Sequence, residues 1–547
     1  MPTDFLQSDF RGGLNLFDTG ETIGQNQYAL AYNIRARTSE IIPCKNAVED
    51  TAPYGNKQGL FAFDKFLILF VDGLAYYKTI GTRGGEDTDW IRIENVFMDP
   101  KVPYIYTQAV PTSTENFDRK LESDDQVSGN ATQQTIKKSI FNNDIGTPSG
   151  LIVQDGINQP WIIFEDGSAR KIQDYKQWTR EKREYVPIMS KMAYVDGIVF
   201  GIAAYNDKGE PDGRTLLRSV TGRPLDFVVN VDTKGEKRGD AFTTSYAVTY
   251  NQVTSLQVFS AGKLLAATKQ RCFPIGLNYD KQYFNEPSFT NNEDFSAGVV
   301  NQYSFIDILG DRCFIDTDGI RSFVASTQDK NEGRNSIFSL GISRLLEGIT
   351  QEETKTAAIV FNDYAHFAIK TKVGYIIAVY DIQRQIWVSI DDFGIGAVKQ
   401  FAVADQNINP TIYCMTESKV YKLYASPLYA EARVTLRSLI SGSAAMELKL
   451  DDVRAVFGRG IQEAEATVQV DFNLGEGSAT VSERISYDDS GIDNVRCNFE
   501  HAQARQGWVI TPMISWDNGA RLKLVQVKAT ETTHMTNVRQ QSNIYAT

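Results

Sequence analysis

The chain has 547 residues, 42% of them hydrophobic and 23% charged, and a formal net charge of −12, with an isoelectric point near 5.0. That balance excludes a general nucleic-acid binder, which needs cationic surface to displace counterions from phosphates; it leaves room for a local basic patch, or for an acidic surface past which DNA slides. The length supports two or three domains with filled cores, and 25 Tyr, 30 Phe and 41 Gly favour strands joined by tight turns.

The opening segment, MPTDFLQSDFRGGLNLF, has neither a basic n-region nor a long apolar h-region, so no signal peptide is expected. Short apolar runs then alternate with turns. Residues 66–71 and 74–78 flank Asp72-Gly73, 161–164 and 168–172 flank Asp166-Gly167, and 192–195 and 198–203 flank Asp196-Gly197. Residues 311–315 and 320–324 flank a turn containing Asp318-Gly319. Asp-Gly tolerates the positive φ that matches hairpin twist. Later hairpins pair 366–370 with 375–380, continue to 386–390, and pair 411–415 with 419–424. No apolar run approaches a membrane span, so no membrane insertion is expected.

Two polar stretches, 106–149 and 279–297, interrupt the pattern and read as long loops or insertions, either contacts with a neighbouring subunit or surface loops. Helical periodicity is confined to 337–349, where Leu340, Leu345, Leu346 and Ile349 share a face. About 24 strands precede residue 430, too many for one sandwich. Four-stranded blades would make about six or seven, so residues 1–430 are expected to form a β-propeller. Beyond it come longer strands at 434–440, 446–457, 466–471, 483–487, 496–500, 508–516 and 523–529. That is the size of a β-sandwich over residues 431–530, followed by a polar tail at 531–547. The expected fold class is all-β, a propeller followed by a C-terminal β-sandwich.

Little in the sequence points to catalysis. Cys44, Cys272, Cys313, Cys414 and Cys497 never fall in a CxxC spacing, and read as buried reduced thiols made in a reducing cytoplasm. His366, His501 and His534 form no metal-binding spacing, and His366 within a strand reads as packed or surface-lying. No nucleophile elbow, Walker loop or dinucleotide fingerprint is present. The adjacent pairs Asp391-Asp392, Asp451-Asp452 and Asp488-Asp489 point to opposite strand faces and read as solvated turn residues. Ser515-Trp516-Asp517-Asn518-Gly519 is similar to the start of a sialidase Asp-box, but occurs once and has Leu522 where a Trp belongs, so it reads as a strand followed by an Asn-Gly turn. Asp316-Thr317-Asp318-Gly319 lacks the closing Glu of a calcium loop, Thr327 standing there. No catalytic residue, metal or cofactor is assigned. One candidate phosphate or partner contact remains: Arg170, Lys171, Lys176, Arg180, Lys182 and Arg183, interleaved with Tyr175 and Trp178 and diluted by Asp174, Glu181 and Glu184.

A family resemblance runs along most of the chain. Gly12-Gly13-Leu14-Asn15, then Asn26-Gln27, Ala31 and Asn33, resemble the start of phage tail propellers, although Ser39 to Cys44 depart from the Gly-x-Leu-x-Arg often found there. Arg214 to Ser219 with Gly222, Pro224, Leu225 and Phe227 is similar to that family's strand–Ser–x–Pro–x–aromatic step. Asp318-Gly319-Ile320 and the run Ile377 to Trp387 are similar to its DG hairpin and its VYD…W strand pair. The chain thus resembles the tail hub or nozzle proteins of short-tailed bacteriophages, of the packaged-DNA stabilisation type. The resemblance implies a non-enzymatic virion protein, assembled in the host cytoplasm into a closed ring of copies, typically a homohexamer, below the portal and adaptor. Such a ring retains packaged double-stranded DNA and conducts it on ejection without reading sequence. Two alternatives stand beside it: a glycan-binding or glycan-processing propeller of a tail fibre or surface protein, and a monomeric interaction scaffold.

Overall fold

The computed structural model describes residues 2–533 apart from 64–65, 82–86, 112–148, 165–166, 173–185, 196, 207, 220–223, 226, 228–229, 232–236, 239–241, 248–250, 261–262, 277–287, 290–296, 325–337, 405–409, 443–445, 461–463, 474–476, 486–490 and 500–505. The protein is all-β. Among the described residues, helix is limited to Phe323 and Val324, a 3-10 turn at Phe338–Ile342, one α turn at Ser343–Leu346 and a second 3-10 turn at Glu353–Lys355. None is long and apolar enough to cross a membrane.

Among the described residues, seven antiparallel sets of strands follow one another along the chain, the sixth within a larger sheet. Their first strands are Lys57–Phe63, Tyr106–Pro111, Met189–Val195, Ser255–Ser260, Phe305–Ile308, Ala357–Phe361 and Gln400–Ala404. The fifth sheet shows three strands among the described residues, and the others four or more. The apolar runs are continuous because both faces of a strand are covered, and alternate residues serve different neighbours. In Ile198–Ala203, Ile198, Phe200 and Ile202 pack toward the fourth sheet, whereas Val199 and Ala203 pack toward the second. In Phe66–Val71, Leu67, Leu69 and Val71 join a cluster with Tyr413 and Met415 of the seventh sheet, and Ile68 and Phe70 join one with Leu151 and Val153 of the second. Each consecutive pair of sheets shares such a cluster, and the seventh shares one with the first. Each fully buried side chain of this size contributes about 1.5–3 kcal/mol.

The hairpin at Asp72-Gly73 takes φ of +48° and +78°, the primed turn expected of that dipeptide. A side chain at Gly73 would collide with the Met98 carbonyl oxygen, so glycine is needed there twice over. The turn at Asp318-Gly319 differs. Ile315 pairs with Ile320 across a four-residue loop in which the Asp316 amide bonds to the Gly319 carbonyl. The two polar stretches also differ in part. Residues 106–111 are the first strand of the second sheet, paired residue for residue with Ser149–Gln154, because Tyr106 and Val110 supply the apolar face that the polar composition hid. Ser288–Phe289 is the outer strand of the fourth sheet, and the remainder of both stretches, 112–148, 279–287 and 290–296, lies outside the described residues apart from the buried Ala297.

The C-terminal strands form two sheets. One has the order Pro2–Gln7, Arg521–Thr533, Met446–Gly458, Ile492–Asn498. The other runs Leu30–Tyr32, Ala432–Thr435, Val509–Trp516, Ala464–Phe472, Gly477–Ile485. Their apolar sides, including Leu450, Phe457, Val468, Val470, Trp516 and Val527, share one core. The polar run from 530 does not leave the fold at once: Thr530 to Thr533 continue the last strand beside Met446 to Lys449. Residues 534–547 lie outside the described residues.

The first 49 residues cross the boundary drawn at residue 430. Pro2–Gln7 pairs with the last strand, and Val48–Glu49 is the outermost strand of the seventh sheet. Between them, Tyr32 pairs in parallel with Ile390 of the sixth sheet and antiparallel with Arg433. The sixth sheet therefore continues through Leu30–Tyr32 into the C-terminal strands as one sheet. Asn33 secures the crossing from a left-handed backbone (φ +57°) that Asn tolerates well. Its side-chain amide donates to the Glu431 carbonyl at 2.9 Å and accepts from the Asp392 amide at 2.9 Å.

Candidate functional site

All seven first strands converge on one polar and aromatic cluster. The segment 301–304, which leads into the fifth sheet, reaches most of them. The Gln302 side chain donates to the Met192 and Leu256 carbonyls and accepts from the Leu256 amide. Tyr303 lies against Phe61, Tyr104 and Tyr106, with ring centroids 6.2, 5.3 and 6.2 Å away. Its hydroxyl donates to the Ile105 carbonyl at 3.1 Å, and its own carbonyl accepts from the Ala358 amide. Tyr104, 1% exposed, donates to the Glu353 carbonyl at 2.8 Å. The seventh sheet enters through Lys399, whose ammonium stands 5.4 Å from the Tyr104 ring centroid.

Three lysines line this junction with no carboxylate within ion-pair distance among the described residues. Lys191 Nζ sits 4.0 Å from the Tyr106 ring centroid and bonds to its hydroxyl oxygen at 2.8 Å. Lys399 Nζ donates to the Lys57 carbonyl at 2.7 Å, and Lys57 Nζ donates to the Pro53 and Gly55 carbonyls. Burial lowers the pKa of Lys57 and of Lys399, with Asp72 and Glu417 partly opposing it. Burial likewise raises the Tyr104 and Tyr303 phenols, reinforced by neighbouring Tyr106, so both remain protonated donors. Buried glutamines stitch adjoining sheets in the same way. Gln58 donates to the Asp99 and Val102 carbonyls at 2.8 Å each, Gln154 accepts from the Met189 amide, and Gln400 accepts from the Leu60 amide.

Beside the cluster is a cleft of about 290 Å³ lined by Tyr104, Tyr106, Lys191, Tyr205, Asp155 and Asp212. Its carboxylates are occupied by the backbone. Asp155 accepts from the Asp99, Ile157 and Asn158 amides, and Asp212 from the Arg214 amide. The arrangement holds loops in place.

Arg170 is 8% exposed, because strand alternation turns it inward while Lys171 faces out. Lys176, Arg180, Lys182 and Arg183 lie outside the described residues, as do Tyr175 and Trp178. All five cysteines are free and buried. His366 is 1% exposed, and His501 and His534 lie outside the described residues. Asp391 and Asp452 are not solvated turn residues: they are 1% and 2% exposed, on strands, and ion-paired with Arg35 and Arg496. Asp488-Asp489 lies outside the described residues. Asn518-Gly519 forms the turn expected, with φ of +53° and +74°. Among the described residues, no group of three or more His, Cys, Asp or Glu could hold a metal ion.

Sequence reasoning passed over the junction lysines, glutamines and Tyr303. One signal was available: Lys57-Gln58 and Lys399-Gln400 repeat the same dipeptide at the start of the first and seventh sheets. No family model and no curated protein matches the chain.

Proposed function

We propose that the seven sheets are the blades of a seven-bladed β-propeller, that the two C-terminal sheets form a β-sandwich, and that the chain is a non-catalytic structural subunit of a phage tail ring. In this reading, copies of the chain close into a hub or nozzle, typically a homohexamer, below the portal and adaptor. The ring retains packaged double-stranded DNA and conducts it on ejection. The observation that carries the reading is the convergence of all seven first strands on Tyr104, Tyr303 and Gln302. That cluster occupies the position where a ligand-processing propeller keeps its chamber, and its polar groups are bonded to the fold itself. DNA would then travel through a channel enclosed by the ring of copies, not along the axis of one propeller. An acidic or neutral lumen, in keeping with the net charge of −12, would let it pass without sticking.

Negative-stain electron microscopy of the purified chain, alone and mixed with its candidate portal–adaptor complex, tests this. Closed rings are expected, alone or on the portal. Monomers that ignore the portal would overturn the reading and make a glycan-array screen the next experiment.

A further inference from the structure

The sheet that carries the last strand has an outer face, turned away from the shared core. Cross-strand partners share a face, so Leu6, Gln526, Arg454 and Arg496 form one row across it. Two arginines directly opposite each other repel. Both lean on one carboxylate, that of Asp452, which is 2% exposed. Arg496 Nε donates to its Oδ2 at 2.7 Å, whereas the nearest Arg454 nitrogen stands 3.6 Å from the same oxygen, too far for a hydrogen bond. Lys528 holds the cross-strand position on the other side of Asp452.

Hydrogen bonding within the cluster is incomplete. The Arg454 guanidinium donates no hydrogen bond among the described residues, its Nε is buried without a partner, and so is Asp452 Oδ1. Buried polar atoms without partners are rare enough that each calls for an explanation. The Arg454 side chain is nonetheless 30% exposed, so the rest of its fork faces out. Apolar side chains flank it: Leu6 is 57% exposed and Ile492 is 39% exposed on the two edge strands of the sheet.

We propose that this face is where one copy of the chain docks on the next, with a carboxylate of the neighbouring copy received by Arg454 and Arg496. The proposal rests on the ring reading above and names the surface that would build it. Charge complementarity selects the occupant. On these rows Arg454, Arg496 and Lys528 outnumber Asp452 and the exposed Asp4, the other cross-strand partner of Lys528, while the chain as a whole has a net charge of −12 and so offers carboxylates over the rest of its surface. The same excess opposes a two-fold contact of this face with itself, which would set arginine against arginine. The contact is therefore head-to-tail, the kind that closes into rings.

Sedimentation velocity of the full chain across a concentration series, alone and with the portal–adaptor complex, tests the surface. Arg454→Gln keeps the Arg496–Asp452 pair, and the double variant Leu6→Glu/Ile492→Glu changes only exposed side chains. Each is expected to weaken assembly about tenfold or more, and raising salt is expected to weaken the wild type. Leu309→Glu, at a turn of the fifth sheet that is 76% exposed, is the control and should assemble normally. Variants that melt at the wild-type temperature but assemble as well as wild type would overturn this surface and leave the ring reading standing. A wild type that stays monomeric in every mixture would overturn both.

Discussion

Arg35 and Asp391, 356 positions apart, meet in a two-point ion pair with Nη1–Oδ1 at 3.1 Å and Nη2–Oδ2 at 2.7 Å. Ser389 and Tyr424 donate to the same carboxylate at 2.8 and 2.6 Å. The N-terminal segment, the sixth sheet and the exit of the seventh are thus tied at one point. Arg35 also stands within about 5 Å of the Tyr364 and Tyr424 ring centroids.

Arg35→Ala leaves a carboxylate whose side chain is fully buried without its cation. The expected cost is about 3–5 kcal/mol. Urea unfolding should show a lower midpoint with an unchanged slope. A loss below about 1 kcal/mol would mean that the pair is screened by solvent after all.

Acid should destabilise the fold in two stages. Burial, followed by the neighbouring Arg35 charge, pushes the His366 imidazole down to about 3. An unfolded histidine titrates near 6.5, so the unfolded chain takes up the proton first, and stability falls as pH drops from about 6.5 toward 3. Burial alone would raise Asp391, but the Arg35 charge and hydrogen bonds outweigh it and hold the carboxyl below its ordinary range. Its contribution is present above about pH 4 and is lost as pH falls further. His366→Phe should flatten the first stage, worth up to about 4 kcal/mol, and leave the second. Melting temperatures across pH 3–8 that run parallel for both proteins would rule this out.

The junction of the first strands should be sensitive to truncation and tolerant of a conservative change. Tyr303→Ala removes a ring packed against three others and is expected to cost about 3–5 kcal/mol. Tyr303→Phe loses only the bond to the Ile105 carbonyl and should cost about 1 kcal/mol. Calorimetry on the pair separates packing from hydrogen bonding, and equal losses would show that the ring itself contributes little.

Deleting residues 1–7 should expose the edge of Arg521–Thr533 along the whole length covered by Pro2–Gln7. Hydrogen exchange should rise at Val525 to Thr530 and stay unchanged in the first strand of the third sheet. A uniform rise over the chain would indicate instead that the N-terminal strand holds the entire fold.

The local half of this architecture was legible in the sequence, and the long-range half was not. Hairpins announced themselves through Asp-Gly and Asn-Gly turns between apolar runs, and the long strand Met446–Gly458 was found almost to the residue. Gln27–Tyr28, Ile34–Arg35 and Val48–Glu49 were missed because two residues carry no periodicity. Gln27–Tyr28 and Ile34–Arg35 pair nearby, with Gly13–Leu14 and Ile42–Pro43, but the partner of Val48–Glu49 lies hundreds of positions away and only the folded sheet defines it. Tyr106–Pro111 was hidden because Thr107, on the face opposite Tyr106 and Val110, and Gln108, between those two on their own face, together look like loop. Asp391 and Asp452 were misjudged because a carboxylate buried with an arginine looks, in sequence, the same as one in water.

The threading of the first 49 residues also sets an order in time. A ribosome adding about 5–20 residues per second delivers Pro2–Gln7 roughly half a minute or more before Arg521–Thr533 exists to receive it. Val48–Glu49 waits for Val420–Lys422, and Tyr32 for Ile390 and Arg433. Until Arg521–Thr533 is made, the nascent chain presents several finished hairpin sheets together with a segment that has nowhere to dock, and the unpaired edges that segment will later cover invite association between nascent chains. Capture of Pro2–Gln7 therefore waits for Arg521–Thr533, and a product that stops short of residue 521 lacks the strand that pairs with this segment.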